Sequence, residues 1–446
     1  MKDKKMSNYI IFWLSQAMSQ LGSSMTSYAL IIWSFKQTHS AMSVSIMTFC
    51  SYLPYILGSI FAGTFIDAHA KKKIIIISDT VAACCSMSVF ILLRFNTLEI
   101  WNIYIVNAVV GFMNAFQSPA TSVAVGLMVP KDKYHKVSGM DSFAGNLVTV
   151  VAPMLAGTIL SFTSLSTIVF IDLMTFVFSI VILIFQIEIR ENIIGANLKK
   201  KKKFDGFKEG CKFLQFHKGI FYIMLSLSLI NFFSRLTYEN ILLPMILARS
   251  NGDSTVYGIV SGVLGMGGIL GGIFVSTGKK PKDNLKMIFY SAGISFLLGD
   301  LLMGVGKNVY VWSIAGLTAS FPIPFIMAGQ KVIMYEAVPK EIQGRIFAVR
   351  NAIQFSSIPV GILLGGYLAD YIFEPFMKSQ NAMAIILQKI VGVGAGSGMA
   401  VMFLCTGVLG SLSSFICYRN RYIQKLKVNK DYIINQKCNN EKIIES

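Results

Sequence analysis

Charge is scarce in this chain. Asp, Glu, Lys and Arg make up 14% of its 446 residues, against about 25% in soluble domains. Histidine is rarer still, and the four present all lie near loops. The seven cysteines (Cys50, Cys84, Cys85, Cys211, Cys405, Cys417 and Cys438) show no metal-type spacing. Most sit in or beside apolar stretches, where a free thiol serves as a small hydrophobe. An intramembrane enzyme needs a nucleophile or a metal, and neither a His/Asp/Glu ligand cluster nor a Ser–His pairing is found at membrane depth. A nucleotide-binding loop is missing too. The nearest match, "GVLGMGGILGG" at 262–272, lies inside a hydrophobic run rather than after a strand, and suits close helix packing. No enzyme activity, cofactor or metal is therefore expected, and an ion gradient is the expected energy source.

What the chain does have is long apolar runs: 54% of its residues are hydrophobic. Twelve stretches are long enough to cross a bilayer as helices. They run over 9–35, 41–66, 74–94, 99–119, 138–162, 165–187, 219–247, 256–277, 285–305, 309–335, 346–373 and 398–418. The first is too long and too polar (Ser15, Gln16, Ser19, Gln20) for a cleaved signal peptide, so it counts as a helix.

The net charge of +18 reflects where the cations lie. Of 40 Lys and Arg, 32 fall at the N-terminus, in alternate loops and in the C-terminal tail; the other loops hold six, and Arg235 and Arg350 lie within helices. Positive loops stay in the cytoplasm. Twelve crossings with both termini inside satisfy every loop. The run Lys199–Lys203 is an inside anchor that can touch anionic lipid. No folded soluble part remains to bind nucleic acid.

The chain is also written twice. "MVPKDKYHKV" begins at Met128 and "AVPKEIQGRI" at Ala337, an offset of 209. The same shift carries Gly63 onto Gly272, Lys71 onto Lys280, and the first helix onto the seventh. Only the twelfth helix is displaced, by the extra residues 374–397. Six helices per unit is an even number, so the copies share one orientation: a parallel repeat about an axis along the membrane normal. The expected organisation is a six-helix bundle over 1–187, a basic cytoplasmic linker over 188–218, a second bundle over 219–418 and a cytoplasmic tail over 419–446. Two such bundles suggest a cavity between them and alternating access.

Between the second and third helices stands "AGTFIDAHAKKKIIII", with Gly63, Asp67 and Lys71–Lys73. Glycine, three residues, aspartate and a basic cluster at this place resemble the hallmark of the major facilitator superfamily. Ala68 and Ala70 stand where that family usually has a basic residue and a second glycine. "FWLSQAMSQLGSSMTSYALIIW" (12–33), "AFQSPA" (115–120), "VPKEIQGRIFAV" (338–349), "PVGILLGGYLAD" (359–370) and "GVGAGSGMA" (392–400) look like the drug–proton antiporter branch that contains bacterial macrolide-efflux proteins. "APMLAG" (152–157) resembles the antiporter motif of helix five, in which Pro153 and Gly157 would give a bend and a close contact. Asn107 occupies the position where many drug antiporters carry an arginine.

The resemblance implies an all-α integral membrane protein of two six-helix bundles in a bacterial cytoplasmic membrane. It would work as a monomer, exporting a small amphiphilic substrate of macrolide type in exchange for protons. A siderophore or lysolipid transporter of the same fold, and a membrane sensor or scaffold that transports nothing, remain open. Asp67 ends a helix at the inner surface and can accept from exposed amides at a neighbouring helix start. The family places that neighbour at helix eleven, near Arg345 and Arg350, so Gly63, Asp67, Lys71, Lys72, Arg345 and Arg350 form the expected gate.

An ionised group at mid-membrane costs roughly 2.5–3.5 kcal/mol, so each needs a reason. Arg235 and Glu239 are four apart and share a helix face. By the repeat their helix matches the first, which the family resemblance implies is cavity-lining, and Pro244 just beyond can kink it. Glu239 is the expected coupling carboxylate, since a partly shielded acid suits a proton carrier. Asp79, Asp172 and Asp300 fall on helices three, six and nine, which the resemblance implies are outer supporting helices, so structural pairing is expected; Asp370 near the outer end of helix eleven is expected to be solvated. The 23 Met and 33 Phe suit a loose apolar pocket. Met25, Tyr28, Asn107, Asn114, Phe116, Gln117 and Asn231 are its expected lining.

Overall fold

A computed structural model describes residues 2–129, 134–187, 205–277, 283–338 and 343–428. Every described element is helical, and each of the twelve sequence-predicted spans coincides with one or more helices. The first six are unbroken: α1 (Lys2–Thr38), α2 (Ala41–Ala68), α3 (Lys71–Arg94), α4 (Ile100–Met128), α5 (Tyr134–Phe162) and α6 (Leu165–Phe185). Two-residue links, residues 39–40 and 69–70, separate α1 from α2 and α2 from α3. His39 takes a positive φ of 49°, and the Ser40 hydroxyl accepts from the Ser43 amide at 3.2 Å to cap α2.

The second half is less regular. A short helix, α7 (Asp205–Phe216), precedes the seventh span, within the stretch expected to be linker. It docks through buried Leu214 on a cluster with Ile220, Met224, Val338 and Val349. The seventh span is two helices, α8 (Lys218–Thr237) and α9 (Leu242–Arg249), interrupted at residues 238–241. The expected kink at Pro244 is thus a full break. Proline has no amide to donate to the Asn240 carbonyl, so the helix cannot run through that turn without loss. The eighth span is α10 (Ser254–Thr277).

The ninth span passes from α11 (Asn284–Ile294) through a π-helical stretch (Ser295–Asp300) to α12 (Leu301–Val305). Asp283 caps its start by accepting from the Leu285 and Lys286 amides, both at 3.0 Å. The tenth span is divided at Phe321–Pro322 into α13 (Val309–Ser320) and α14 (Ile323–Ala337). The eleventh, α15 (Gln343–Tyr367), continues through a π-helical stretch (Leu368–Phe373) into α16 (Glu374–Lys378). The residues that displace the repeat form α17 (Ala382–Val391) and a glycine-rich turn with φ values of 94°, 102° and 83° at Gly392, Gly394 and Gly396. The twelfth span is α18 (Ser397–Tyr418), followed by α19 (Arg421–Val428).

Nine helical segments among the described residues are both long and apolar enough to span a bilayer. The described residues of 1–197 with 240–265 form one compact unit, and those of 198–239 with 266–446 form the other. In the first unit α1 packs on α5 and α6, while α2 and α3 pack on α4. One of its cores gathers Tyr9, Phe12, Ile75 and Leu183; another gathers Met25, Ala29, Met47, Val148 and Ile168. In the second unit α8 packs on α15 and α18, and α11 on α14 and α18, around Ile223, Ile288, Phe289 and Phe296.

The segment 240–265 reaches the first unit through small residues. A Cβ on Gly157 would stand 2.6 Å from the Ser254 carbonyl oxygen, and one on Gly258 would stand 3.0 Å from the Pro153 oxygen. α5 and the first turns of α10 therefore meet backbone to backbone, which only glycine permits at these positions. Ser254 Oγ also donates to the Gly157 carbonyl at 3.3 Å, and Ser161 and Thr255 hydroxyls meet at 2.7 Å.

Candidate functional site

The interruption in the seventh span gathers the polar groups of greatest interest. Arg235 stands in the last turn of α8, and its guanidinium donates to the Glu239 carboxylate in the turn beyond. Both side chains are about one-third exposed or less, at 30% and 27%. Neither charge is fully desolvated, so a pairing of intermediate strength is expected. Arg235 lies where α8 meets α15 closely: a Cβ on Gly361 would stand 3.2 Å from the Arg235 Cβ.

The flanking turn residues point elsewhere. The Tyr238 hydroxyl faces the fully buried Asp300 carboxyl from outside ordinary hydrogen-bond geometry, and the Tyr238 ring meets Phe403 edge-on at 5.3 Å. Thr406 Oγ1 donates to Asp300 Oδ2 at 2.6 Å. Asp300 closes the π-helical stretch of the ninth span, a form of helix often found at functional sites. Buried Asn240, in the first unit, donates to Ser45 Oγ. The break thus presents Tyr238, Glu239 and Asn240 in three different environments. Tyr238, Asp300 and Thr406 were not singled out together from sequence. The adjacency of Tyr238 to Glu239 was the available clue.

The first unit holds two further buried acids, each with neutral partners. Asp79 on α3 accepts from Gln117 on α4 and from Gln16 on α1 at 3.4 Å. Gln16 also donates to Ser179 on α6 at 3.1 Å. Asp172 on α6 accepts from Ser23 at 2.9 Å and Ser86 at 2.8 Å. The polar stripe of α1 is therefore used within the bundle, where an unpaired carboxyl would be costly. Near the start of α1, the buried Tyr9 hydroxyl donates to Asp141 at 2.8 Å.

The expected lining residues are distributed unevenly. Met25 is buried in a core cluster, with Tyr28 packed against it and 6.3 Å from the Tyr257 ring. Asn107 and Asn231 are partly exposed and Asn114 is exposed. Phe116 packs edge-on with Phe65 and Phe112 at 5.3 and 5.2 Å, while Gln117 is engaged with Asp79.

Gly63 and Asp67 lie on the backbone of α2, and Arg345 lies on that of α15; their side chains fall outside the described residues. Lys71 is buried at the start of α3. Lys72 Nζ donates to the Ile184 and Ile187 carbonyls at 3.1 and 2.7 Å. An ammonium at the C-terminal end of α6 satisfies carbonyls that the helix leaves unpaired. Arg350 donates twice to the neighbouring Asn351 side chain, at 3.1 and 2.9 Å.

A bundle of broken and unbroken membrane helices with polar groups at a break is a transporter arrangement. The family described as transmembrane secretion effector, MFS_3, matches residues 5–395. The chain belongs to this family, and so to the major facilitator superfamily of multi-pass membrane transporters. It is 28% identical over 376 residues to macrolide efflux protein A of Streptococcus pyogenes, covering 82% of this chain and 90% of that one. A macrolide efflux protein A of Enterococcus faecalis is 28% identical over 335 residues, covering 72% and 99%. A bacterial homologue of the human lysosomal transporter Spinster, solved inward-facing and unoccupied, shares the fold with a TM-score of 0.69 at 12% identity, covering 96% of this chain and 99% of that one.

Proposed function

We propose that this chain is a secondary active exporter of amphiphilic compounds, with macrolide-type antibiotics as the leading substrate class. Protons flow in as substrate leaves, by alternating access, and no covalent step is involved. The observation that carries this reading is the Arg235–Glu239 pair at a break in the seventh span. The arginine one helical turn away gives the carboxylate a cationic partner. Protonation of Glu239 removes its charge and releases Arg235. The break lets that local change accompany a rearrangement of the helix, since backbone there is not locked by a continuous hydrogen-bond ladder. The similarity to macrolide efflux proteins supports the substrate class.

In this reading the protein acts as a monomer in a bacterial cytoplasmic membrane with both termini inside. Asp67, Arg345 and Arg350 close the cytoplasmic side, while Lys72 supports α6. The test is drug accumulation and a resistance panel in a bacterial host stripped of its own pumps. Reduced macrolide accumulation with the protein present supports the reading. Unchanged accumulation of every drug, with altered export of a siderophore or movement of a lysolipid, would move the substrate class. No transport at all would leave a sensor or scaffold.

A further inference from the structure

Away from these groups, at the end of the first unit opposite Lys71–Lys73, the last turn of α1, the end of α3 and the start of α4 enclose an open pocket. Its volume is about 650 Å³, and its walls include Trp33, Gln37, Leu93, Asn96, Glu99 and Trp101. That size suits a drug-like molecule. Two of the four tryptophans of the chain are here. Trp101 is 55% exposed, and its indole Nε1 donates to the Glu99 carboxylate, which fixes ring and acid together. The backbone amide of Glu99 is held by Asn102 Oδ1 at 2.9 Å, so the acid stands on an ordered helix start.

An exposed tryptophan near a membrane surface ordinarily belongs to the aromatic belt. This one differs in that its polar edge is turned to a carboxylate and a second indole shares its pocket. Among the described residues the ionisable lining group is Glu99, and the other side-chain amides are those of Gln37 and Asn96. Lys36 and Arg94 neighbour lining residues in sequence but do not line the pocket. The Lys36 stem extends instead toward Gly252, where a Cβ would come within 3.9 Å of its Cε. Two indoles beside one carboxylate, with no cation among the described lining residues, are the chemistry that selects a weakly hydrated organic cation.

We infer that this pocket is a binding site for organic monocations of the quaternary ammonium or phosphonium type, separate from the seventh-span break and independent of transport. Such a site would gather cationic amphiphiles at the membrane surface. The probe is tetraphenylphosphonium added to the full-length protein in neutral detergent. It is read by tryptophan fluorescence in a W13F/W312F background, where Trp33 and Trp101 alone report. Saturable quenching is expected, weakened about tenfold or more by Glu99→Gln and kept by Glu99→Asp, because the charge and an aromatic face both contribute. An uncharged tetraphenyl compound of the same shape should fail to compete in the otherwise wild-type protein, a comparison that holds even if Glu99→Gln does not fold. Equal binding of the cation and the neutral compound, or unchanged affinity in Glu99→Gln, would overturn the assignment. Because the readout needs no gradient, its failure leaves the proposed export untouched.

Discussion

Gly157 offers the sharpest structural test, because the steric cost of changing it is set by backbone. A methyl at this position would stand 2.6 Å from the Ser254 carbonyl oxygen and 3.3 Å from its carbon, where ordinary contact begins at 3.4 Å. No rotamer relieves a clash with backbone, so α5 and the start of α10 must separate. Overpacking of this kind costs about 1–3 kcal/mol. Alanine returns about 0.5–1 kcal/mol relative to glycine in a helix. The net loss is up to about 2.5 kcal/mol, at most roughly a seventyfold shift in the packed population. Gly268, on the same α10, supplies the control: a Cβ there meets nothing within 4 Å. Gly157→Ala is expected to lower the melting midpoint in detergent and slow transport, Gly157→Val to do both more severely, and Gly268→Ala to do neither. Midpoints and transport are read by fluorescence-detected size exclusion after heating and by drug accumulation. Equal behaviour of Gly157→Ala and Gly268→Ala would refute the close backbone contact.

Three further outcomes follow from the same reasoning. Lys72→Gln should lose about 1 kcal/mol of stability, since a charged donor to the end of α6 is replaced by a shorter neutral one in a partly exposed setting, and Lys72→Arg should recover much of it; thermal midpoints check this. Asp67→Asn should express normally and transport more slowly, because a charged acceptor is lost from the expected gate; full transport would assign Asp67 to a polar turn. In a cysteine-free background, a cysteine at 307 or 378 should react with an impermeant thiol reagent applied to intact cells, while one at 201 or 133 should not, as the distribution of basic residues demands.

The helices were legible because burial in lipid demands long apolar runs with every backbone group paired internally, and that requirement writes itself into linear sequence. What hydropathy could not reveal was the interruption at 238–241. Averaging over a window passes smoothly across Tyr238–Ile241, and only Pro244 hinted at it. The Arg235–Glu239 pair was readable because its partners are one turn apart on one helix. Lys72 was not readable, because its carbonyl partners at 184 and 187 are over a hundred residues away and carry no side-chain code. Gln117 illustrates a further limit. Helical position alone cannot decide between a cavity and the Asp79 carboxyl on the next helix, which is where its amide goes. The grouping of 240–265 with the first unit depends likewise on Gly157 and Gly258 meeting backbone across two helices, a match that neither stretch shows by itself.

The central claim is that Glu239 carries the proton that drives export. Purified protein in liposomes, with a pH gradient imposed and labelled macrolide supplied, tests it most directly when gradient-driven accumulation and energy-independent exchange are measured side by side. Glu239→Gln mimics the protonated carboxyl without a titratable group. The account predicts that this variant keeps substrate exchange and loses gradient-driven accumulation. Accumulation at the wild-type level by Glu239→Gln would contradict it and shift the search to Asp79, Asp172 and Asp300, or to an ion other than the proton.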